Sequence, residues 1–159
     1  MKLFTIGVYG SSEDEFYGKL ITNHIDLFCD IRQRRGVRGS KYAFVNSSYL
    51  QKKLADMNIG YLYEKNFAPT KQIREMQWEE DKIEHQTKKT REALGHAFCC
   101  GYEKLILDVA NLDELLATFK AKDAENIVFF CLEEKPEACH RSLVAKRLSE
   151  MYNLEITNL

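Results

Sequence analysis

The segment 131–141, CLEEKPEACHR, contains side chains of three types that can carry out chemistry: two cysteines, a histidine and an arginine. A thiolate is a nucleophile and a metal ligand, and an imidazole donates or accepts protons near neutral pH. A guanidinium group binds anions through paired hydrogen bonds. Three interpretations of the segment are therefore open, namely a reactive thiol, a metal site, or a strand and a helix that simply meet there.

Cys139 is the better candidate for a reactive thiol. Pro136 is typical of the first turn of a helix, so Cys139 is expected close to a helix amino terminus. The helix dipole and the unpaired N–H groups there favour a thiolate, and Arg141 acts in the same direction. Cys131 follows an apolar strand and is either a small buried apolar residue or a second thiol that faces Cys139. We predict that Cys131, Cys139 and Arg141 belong to a catalytic site.

His140 allows two interpretations. It begins a helical row of apolar residues that turns the imidazole towards the interior: Val144, Leu148 and Met151. A core histidine that is hydrogen-bonded to the backbone is one interpretation, and it is at least as well supported as the other. The other is a general acid or base mounted beneath the thiol, and for that reason His140 is included among the predicted catalytic residues.

A metal site is the less favoured alternative. Cys131, Cys139 and His140 could supply three ligands, but the chain contains no Cys-x-x-Cys pair, and the adjacent residues Cys139 and His140 form an awkward chelate. Gly7 and Gly10 do not make up a G-x-G-x-x-G motif, and no Walker sequence is present. Neither a metal nor a cofactor is therefore predicted.

The loop after the second predicted strand, RQRRGVRGSK at 32–41, is strongly basic. Guanidinium groups bind phosphate and carboxylate with two hydrogen bonds, and the glycines of the loop let its backbone approach a ligand closely. Ser11 offers a hydroxyl group at a helix amino terminus, a position that suits an anion. The predicted anion-binding residues are Ser11, Arg32, Arg34, Arg38, Ser40 and Lys41.

Asp30 closes the strand that precedes the basic loop. An aspartate in this position commonly caps a turn or orients a neighbouring arginine. We favour the orientation of Arg32 or Arg38, and a catalytic role for Asp30 is kept as the minority hypothesis.

The distribution of apolar residues predicts an α/β fold. Runs that are typical of strands occur at 2–8, 25–31, 59–64, 126–131 and 154–157, and the last of these is expected at an edge of the sheet. Between them lie a capping box of Ser12 and Glu15 and helical patterns at 47–58, 111–122 and 137–152. We predict a single domain (1–159) with three layers and a mostly parallel sheet of about five strands, Rossmann-like or flavodoxin-like. Ligands of such folds bind beyond the carboxyl ends of the strands, where Ser11 and both loops are expected.

Residues 70–100 differ from the rest of the chain. They are rich in Glu, Lys, Gln and Arg and contain few apolar residues. This composition favours a helix but offers little to a core. We predict a long, polar and mostly solvated helical segment outside the sheet.

Composition favours a globular protein over the disordered, membrane-spanning and disulfide-rich classes. The hydrophobic share is 45%, the charged share is 30%, and the net charge of −1 gives no overall attraction to nucleic acid or to a membrane. No apolar run approaches the roughly 20 residues of a spanning helix, and the amino terminus turns polar too early for a signal peptide. The five cysteines, an odd number, favour reduced thiols in the cytoplasm over a disulfide framework.

Four segments occur in an order that resembles the domain of unknown function 488 family of bacterial and archaeal proteins: FTIGVYGSSEDEF, DIRQRRGVRGSKYAF, IGYLYEKNFAPTKQIR and FFCLEEKPEACHRSLVAKRL. The resemblance extends over nearly the whole chain. Its most specific element is a Cys…Pro…Cys-His-Arg pattern, matched by Cys131, Pro136, Cys139, His140 and Arg141. Asp30 and Arg32 match a second signature, and the chain resembles the branch with the RGVRGS loop. The resemblance implies a fold and site residues but no activity.

We retain three functional hypotheses, in this order of preference. The first is a small cytoplasmic enzyme that binds a phosphorylated or otherwise anionic substrate with the basic loop and uses an activated cysteine. The second is a binding module for nucleic acid or a nucleotide, with the basic loop as its contact surface. The third is a metal-binding or thiol redox-sensing protein. No membrane partner is expected, and the oligomeric state is not predicted.

Overall fold

The apolar runs of the sequence form five strands. The structure, a computed structural model, describes residues 1–87 and 90–159. The strands are β1 (Lys2–Ile6), β2 (Leu27–Asp30), β3 (Gly60–Tyr63), β4 (Asn126–Phe130) and β5 (Ile156–Asn158). They form one sheet in the order β3-β2-β4-β1-β5, and every neighbouring pair is parallel. The predicted parallel sheet of a Rossmann-like or flavodoxin-like fold is therefore confirmed, with β4 at its centre.

Within the part of the chain that the structure describes, six α-helices lie between or beside the strands. They are α1 (Glu13–Thr22), α2 (Ser47–Asp56), α3 (Lys71–Ile83), α4 (His96–Tyr102), α5 (Leu112–Ala121) and α6 (His140–Tyr152), and a π-helical turn (Glu103–Leu107) extends α4. Helix α1 begins with the predicted capping box, because Ser12 Oγ accepts from the N–H of Glu15 and Glu15 Oε2 accepts from the N–H of Ser12. Within the described residues, no helix has the length and apolar character needed to cross a membrane.

The strands alternate their side chains between two apolar clusters, as the pleat of a strand requires. On one face of the sheet, Phe28 and Phe130 pack in a cluster with α1 and α2. On the other face, Cys29 and Phe129 pack with α4, α5 and α6. Each fully buried phenylalanine contributes about 1.5–3 kcal/mol. The sheet is thus covered on both faces, which gives the three predicted layers.

The polar segment 70–100 is not one long helix. Helices α3 and α4 are separated by an irregular stretch, in which residues 88 and 89 lie outside the described residues. Asp81 accepts two hydrogen bonds from the guanidinium group of Arg91 and one from Gln77, and all three side chains are buried. A continuous helix would place Asp81 and Arg91 about 15 Å apart along its axis. The chain therefore has to turn back, so the polar segment is helical in two parts, and these three buried side chains are exceptions to its mostly exposed character.

The chain leaves the adjacent strands β2 and β4 in opposite directions. The loop after β2 leads to α2 on one face of the sheet, whereas the loop after β4 leads to α6 on the other. Divergent connections of this kind open a crevice between the carboxyl ends of adjacent parallel strands. The basic loop and the segment 131–141 meet at this crevice.

Candidate functional site

A cavity of about 240 Å³ lies in the crevice. Its volume is somewhat below the range of roughly 300–1,000 Å³ that drug-sized ligands occupy. The walls come from the basic loop, from α3, from the stretch that carries Arg91 and from the loop after β4. These walls include Arg34, Arg74, Trp78 and Arg91.

The floor of the cavity carries three residues that the sequence singles out. The Sγ atoms of Cys131 and Cys139 and a ring nitrogen of His140 lie within 4.8 Å of one another, and all three side chains are buried. We call these three residues the thiol–imidazole cluster. Glu133 is also buried, and its Oε2 atom accepts hydrogen bonds from both thiols, at 3.2 Å from Cys131 and 3.1 Å from Cys139. A carboxylate therefore lies against both sulfur atoms.

The local backbone explains why adjacent residues converge on one centre. Cys139 is not inside the helix but is the N-cap of α6, after a 3-10 turn at Pro136–Ala138. Its backbone is extended (φ −140°, ψ 138°), whereas His140 begins the helix. Because the backbone changes conformation between them, Cys139 Sγ comes to lie 3.9 Å from Nδ1 of His140. The other ring nitrogen, Nε2, lies 3.3 Å from the carbonyl oxygen of Ile31 and donates to it, since a carbonyl oxygen can only accept.

The environment of the cluster shifts two of its pKa values. The pKa of Cys131 is raised well above its ordinary value, first by the hydrogen bond with Cys139, then by burial and by the charge of Glu133. Burial alone lowers the pKa of His140. The charge and hydrogen bond of Cys131, the charge of Glu133 and the carbonyl group of Ile31 together outweigh burial, so that the pKa of His140 is raised.

Arg141 supports the loop and does not line the cavity. Its Nη1 donates to the carbonyl oxygen of Glu133 at 2.5 Å, and its Nη2 donates to the carbonyl oxygen of Glu134 at 2.8 Å. The third guanidinium nitrogen, Nε, lies 3.4 Å from Oγ1 of Thr5. Arg141 is only 1% exposed. The structure therefore places this predicted catalytic residue beneath the loop, where it fixes the backbone that carries Glu133.

Asp30 and Arg32 form a buried ion pair at the carboxyl end of β2. Nε and Nη2 of Arg32 donate to the two carboxylate oxygens of Asp30 at 2.8 and 2.7 Å. Nη1 of Arg32 donates to the carbonyl oxygen of Val45, and the guanidinium plane lies 4.5 Å from the ring centroid of Phe130. Tyr61 donates a further hydrogen bond to Asp30. Every guanidinium nitrogen of Arg32 is thus engaged within the protein.

The other residues of the predicted anion site are divided between two places. Arg34 lines the cavity above the thiol–imidazole cluster. Ser11, Ser40 and Lys41 instead line a second, more open cleft, which Glu13 and Glu15 share. Arg38 is exposed and lines neither of these clefts. The structure therefore does not gather the six predicted residues around one ligand.

Several residues of the cavity were missed in the sequence. Arg74, Gln77 and Trp78 recur on α3 at spacings of three and four, the spacing of a helix face that meets the rest of the protein. Because these side chains are polar, the pattern resembles a solvated face. Nε of Arg74 is buried and has no hydrogen-bond partner among the described residues. A polar group left in this way costs about 1–3 kcal/mol unless a ligand or water satisfies it.

Comparison with known proteins gives a match to a protein family. The family model described as Domain of unknown function DUF488 matches residues 12–148, which include the basic loop, the thiol–imidazole cluster and Glu133. Searches of curated proteins and of solved structures gave no match. The family match confirms the resemblance seen in the sequence, and the assignment to the branch with the RGVRGS loop stays a prediction.

Proposed function

The chain belongs to the family described as Domain of unknown function DUF488, whose name assigns no activity, and we propose from the site itself that it is an enzyme acting on a small anionic substrate. The observation that carries the proposal is that Arg34 and Arg74, neither of which forms an ion pair with a described residue, line a cavity whose floor is the thiol–imidazole cluster. A cation without a counter-charge recognises the substrate, and thiols with an imidazole supply reactive groups. Recognition and chemistry then share one space.

The charges around the cavity support an anionic substrate. Asp30 and Asp81 neutralise Arg32 and Arg91 through paired hydrogen bonds. Neither Arg34 nor Arg74 forms an ion pair with a described residue. These two guanidinium groups are therefore available to a phosphate or a carboxylate, which arginine binds with two hydrogen bonds.

Apolar side chains in the wall of the cavity indicate the chemical character of the part of the substrate that is not anionic. Trp78 is 50% exposed, and with Leu94 and Phe98 it gives the cavity an apolar wall. A large aromatic side chain left half in solvent beside a cavity is suited to cover the apolar part of a ligand. We therefore propose a small organic anion, in which a phosphate or carboxylate is joined to an apolar group.

The role of Cys139 as an activated nucleophile stays a prediction. Its position at the N-cap of α6 favours a thiolate. Glu133 opposes it, because a thiolate at Cys139 would lie 3.1 Å from a carboxylate oxygen. Preferential alkylation of Cys139 over Cys99 and Cys100 near neutral pH is the result that would support the nucleophile.

A small ligand is favoured over nucleic acid by the directions of the basic side chains. Arg32 is buried against Asp30, Arg34 faces the cavity, and Arg35 stacks on the ring of Tyr63 at 4.3 Å. Binding to a nucleic-acid backbone needs several cations along one surface. Since the arginines of this loop point to different places, the second hypothesis has less support than the first.

Replacement of Arg74 or Arg34 by alanine is expected to weaken the binding of inorganic phosphate, the simplest probe of the proposed substrate. Each substitution removes charge-assisted hydrogen bonds, worth about 1.5–3 kcal/mol, which corresponds to a loss of affinity of roughly 10- to 150-fold. Titration calorimetry at constant ionic strength measures the effect. Arg38→Ala is the matched control, since Arg38 belongs to the same loop as Arg34 but does not line the cavity.

Equal phosphate affinity in Arg34→Ala, Arg74→Ala and the wild type would contradict the proposal. So would a wild-type protein that does not bind phosphate. A loss that is as large in Arg38→Ala as in Arg34→Ala would indicate a diffuse effect of charge, which falls steeply as salt is added.

A further inference from the structure

We propose that Cys131, Cys139 and His140 bind a zinc ion at the floor of the cavity. Two thiolates and an imidazole are a ligand set that zinc prefers, and soft sulfur ligands disfavour calcium, magnesium and manganese. In the sequence alone, the adjacency of Cys139 and His140 is an argument against such a site, because neighbouring residues form an awkward chelate. The extended N-cap of α6 removes that objection, since it directs the two side chains to one centre.

The distances within the cluster are close to those of a zinc site. Bond lengths of about 2.3 Å to sulfur and 2.0–2.1 Å to nitrogen place neighbouring ligand atoms of a tetrahedron about 3.5–3.8 Å apart. Cys139 Sγ and His140 Nδ1 are 3.9 Å apart, and all three ligand atoms lie within 4.8 Å of one another. Small rotations of the side chains would therefore bring them to an ion.

The hydrogen bond on the far side of His140 is independent support. A histidine that binds a metal through one ring nitrogen commonly donates its other N–H to a backbone carbonyl or a carboxylate, which fixes the tautomer. Nε2 of His140 makes this bond with the carbonyl oxygen of Ile31 at 3.3 Å. In the neutral imidazole, Nδ1 then carries the lone pair and faces Cys139.

Binding of the ion leaves the net charge of the buried site unchanged. Without a metal, both thiols donate to Oε2 of Glu133. When Zn²⁺ binds, the two S–H bonds break, two Zn–S bonds form, and two protons leave to the solvent. The positive charge of two is then matched by two thiolates, so the buried site carries no net charge apart from Glu133.

The site would be of the open kind. Catalytic zinc sites have three protein ligands and a fourth position for water or substrate, whereas structural sites use four protein ligands. Cys131, Cys139 and His140 all line the cavity that Arg34 and Arg74 also line. The fourth position therefore faces the space of the proposed substrate. This last step rests on the proposed function, but the zinc site itself does not, and in the zinc-bound protein Cys139 is a metal ligand and not a free nucleophile.

The test is the metal content of the full chain, purified without chelator and with any affinity tag removed. Elemental analysis is expected to give stoichiometric zinc for the wild type. Cys139→Ser and His140→Ala are expected to reduce the zinc content by roughly tenfold or more, since each removes one of three ligands. Cys99→Ser and Cys100→Ser are the matched controls, because these thiols lie outside the cluster, and they are expected to keep their zinc.

A second measurement covers the case in which a ligand variant fails to fold. Wild-type protein freed of metal is titrated with Co²⁺, which takes the place of zinc and gives sulfur-to-cobalt charge-transfer absorption when thiolates bind it. This band is expected to appear and to saturate with stoichiometric cobalt. A wild-type protein that contains no zinc and gives no such band overturns the inference, and so does zinc retained in a folded Cys139→Ser variant.

Arg74→Ala separates this inference from the proposed function. It is expected to keep its zinc and to lose phosphate binding. Zinc in a protein that does not bind phosphate would refute the anionic substrate alone. Phosphate binding that depends on Arg74 in a protein without zinc would refute the metal site alone.

Discussion

Replacement of Gly7 by alanine is expected to destabilise the protein by about 3 kcal/mol, the upper end of the range for overpacking, and to disturb the cavity floor. Gly7 follows the last residue of β1, and a Cβ atom there would overlap the backbone carbonyl oxygen of Glu133. Backbone atoms cannot rotate away as the end of a flexible side chain can. The same carbonyl oxygen accepts a hydrogen bond from Arg141, so the clash also breaks the contact that fixes this loop.

The measurement is the free energy of unfolding from urea denaturation, together with the zinc content and the affinity for phosphate. Gly18→Ala is the matched control. Gly18 lies within α1, and a Cβ atom there would meet nothing within 4 Å. Its replacement is expected to stabilise the protein by about 0.5–1 kcal/mol, because alanine favours a helix. Equal free energies of unfolding for Gly7→Ala and Gly18→Ala would contradict this prediction. They would show that the loop after β4 moves to accommodate the added Cβ atom.

Local patterns were sufficient to predict the strands and most of the helices of this fold. The run KLFTI is apolar and β-branched enough to be a buried strand in any arrangement, and it became β1. Ser12 and Glu15 satisfy each other's backbone N–H groups, so the start of α1 depends on four consecutive residues alone. The alternation of strands and helices then required crossover connections, and these required a parallel sheet.

Contacts between distant residues could not be predicted in the same way. The order β3-β2-β4-β1-β5 depends on which strands pack best, and each apolar strand fits several positions. In the sequence, Asp81 and Arg91 cannot be distinguished from solvated charges. A buried ion pair and an exposed ion pair consist of the same residue types. The sequence likewise gives no signal for Glu133, since only the fold brings both thiols to its carboxylate.

The basic loop shows how far composition leads in predicting a site. The density of arginine correctly drew attention to the crevice, because Arg34 does line the cavity. Composition could not tell which arginines contact the protein itself and which are available to a ligand. That depends on where Asp30 and Tyr63 lie in the folded protein. Arg74, which has the unused donor, came from a different segment altogether.

Replacement of Asp30 by alanine is expected to destabilise the protein by about 3–5 kcal/mol, because it leaves the guanidinium group of Arg32 buried without a counter-charge. Asp30 is fully buried and Arg32 is 2% exposed, so water cannot take over the role of the carboxylate. Urea denaturation measures the loss. Asp108→Ala is the matched control, since Asp108 also pairs with an arginine, Arg147, but is half exposed. A pair of that kind is worth about 0–1 kcal/mol.

The double variant Asp30→Ala/Arg32→Met tests the cause of the loss. If the cost arises from the unpaired guanidinium group, removal of that group recovers stability, and the double variant is expected to be more stable than Asp30→Ala alone. Methionine can fill part of the space over the ring of Phe130 that Arg32 occupies. If the cost arises instead from lost packing or from the hydrogen bond of Tyr61, the second substitution adds to the first. A double variant that is less stable than Asp30→Ala would therefore refute the buried charge as the main cause.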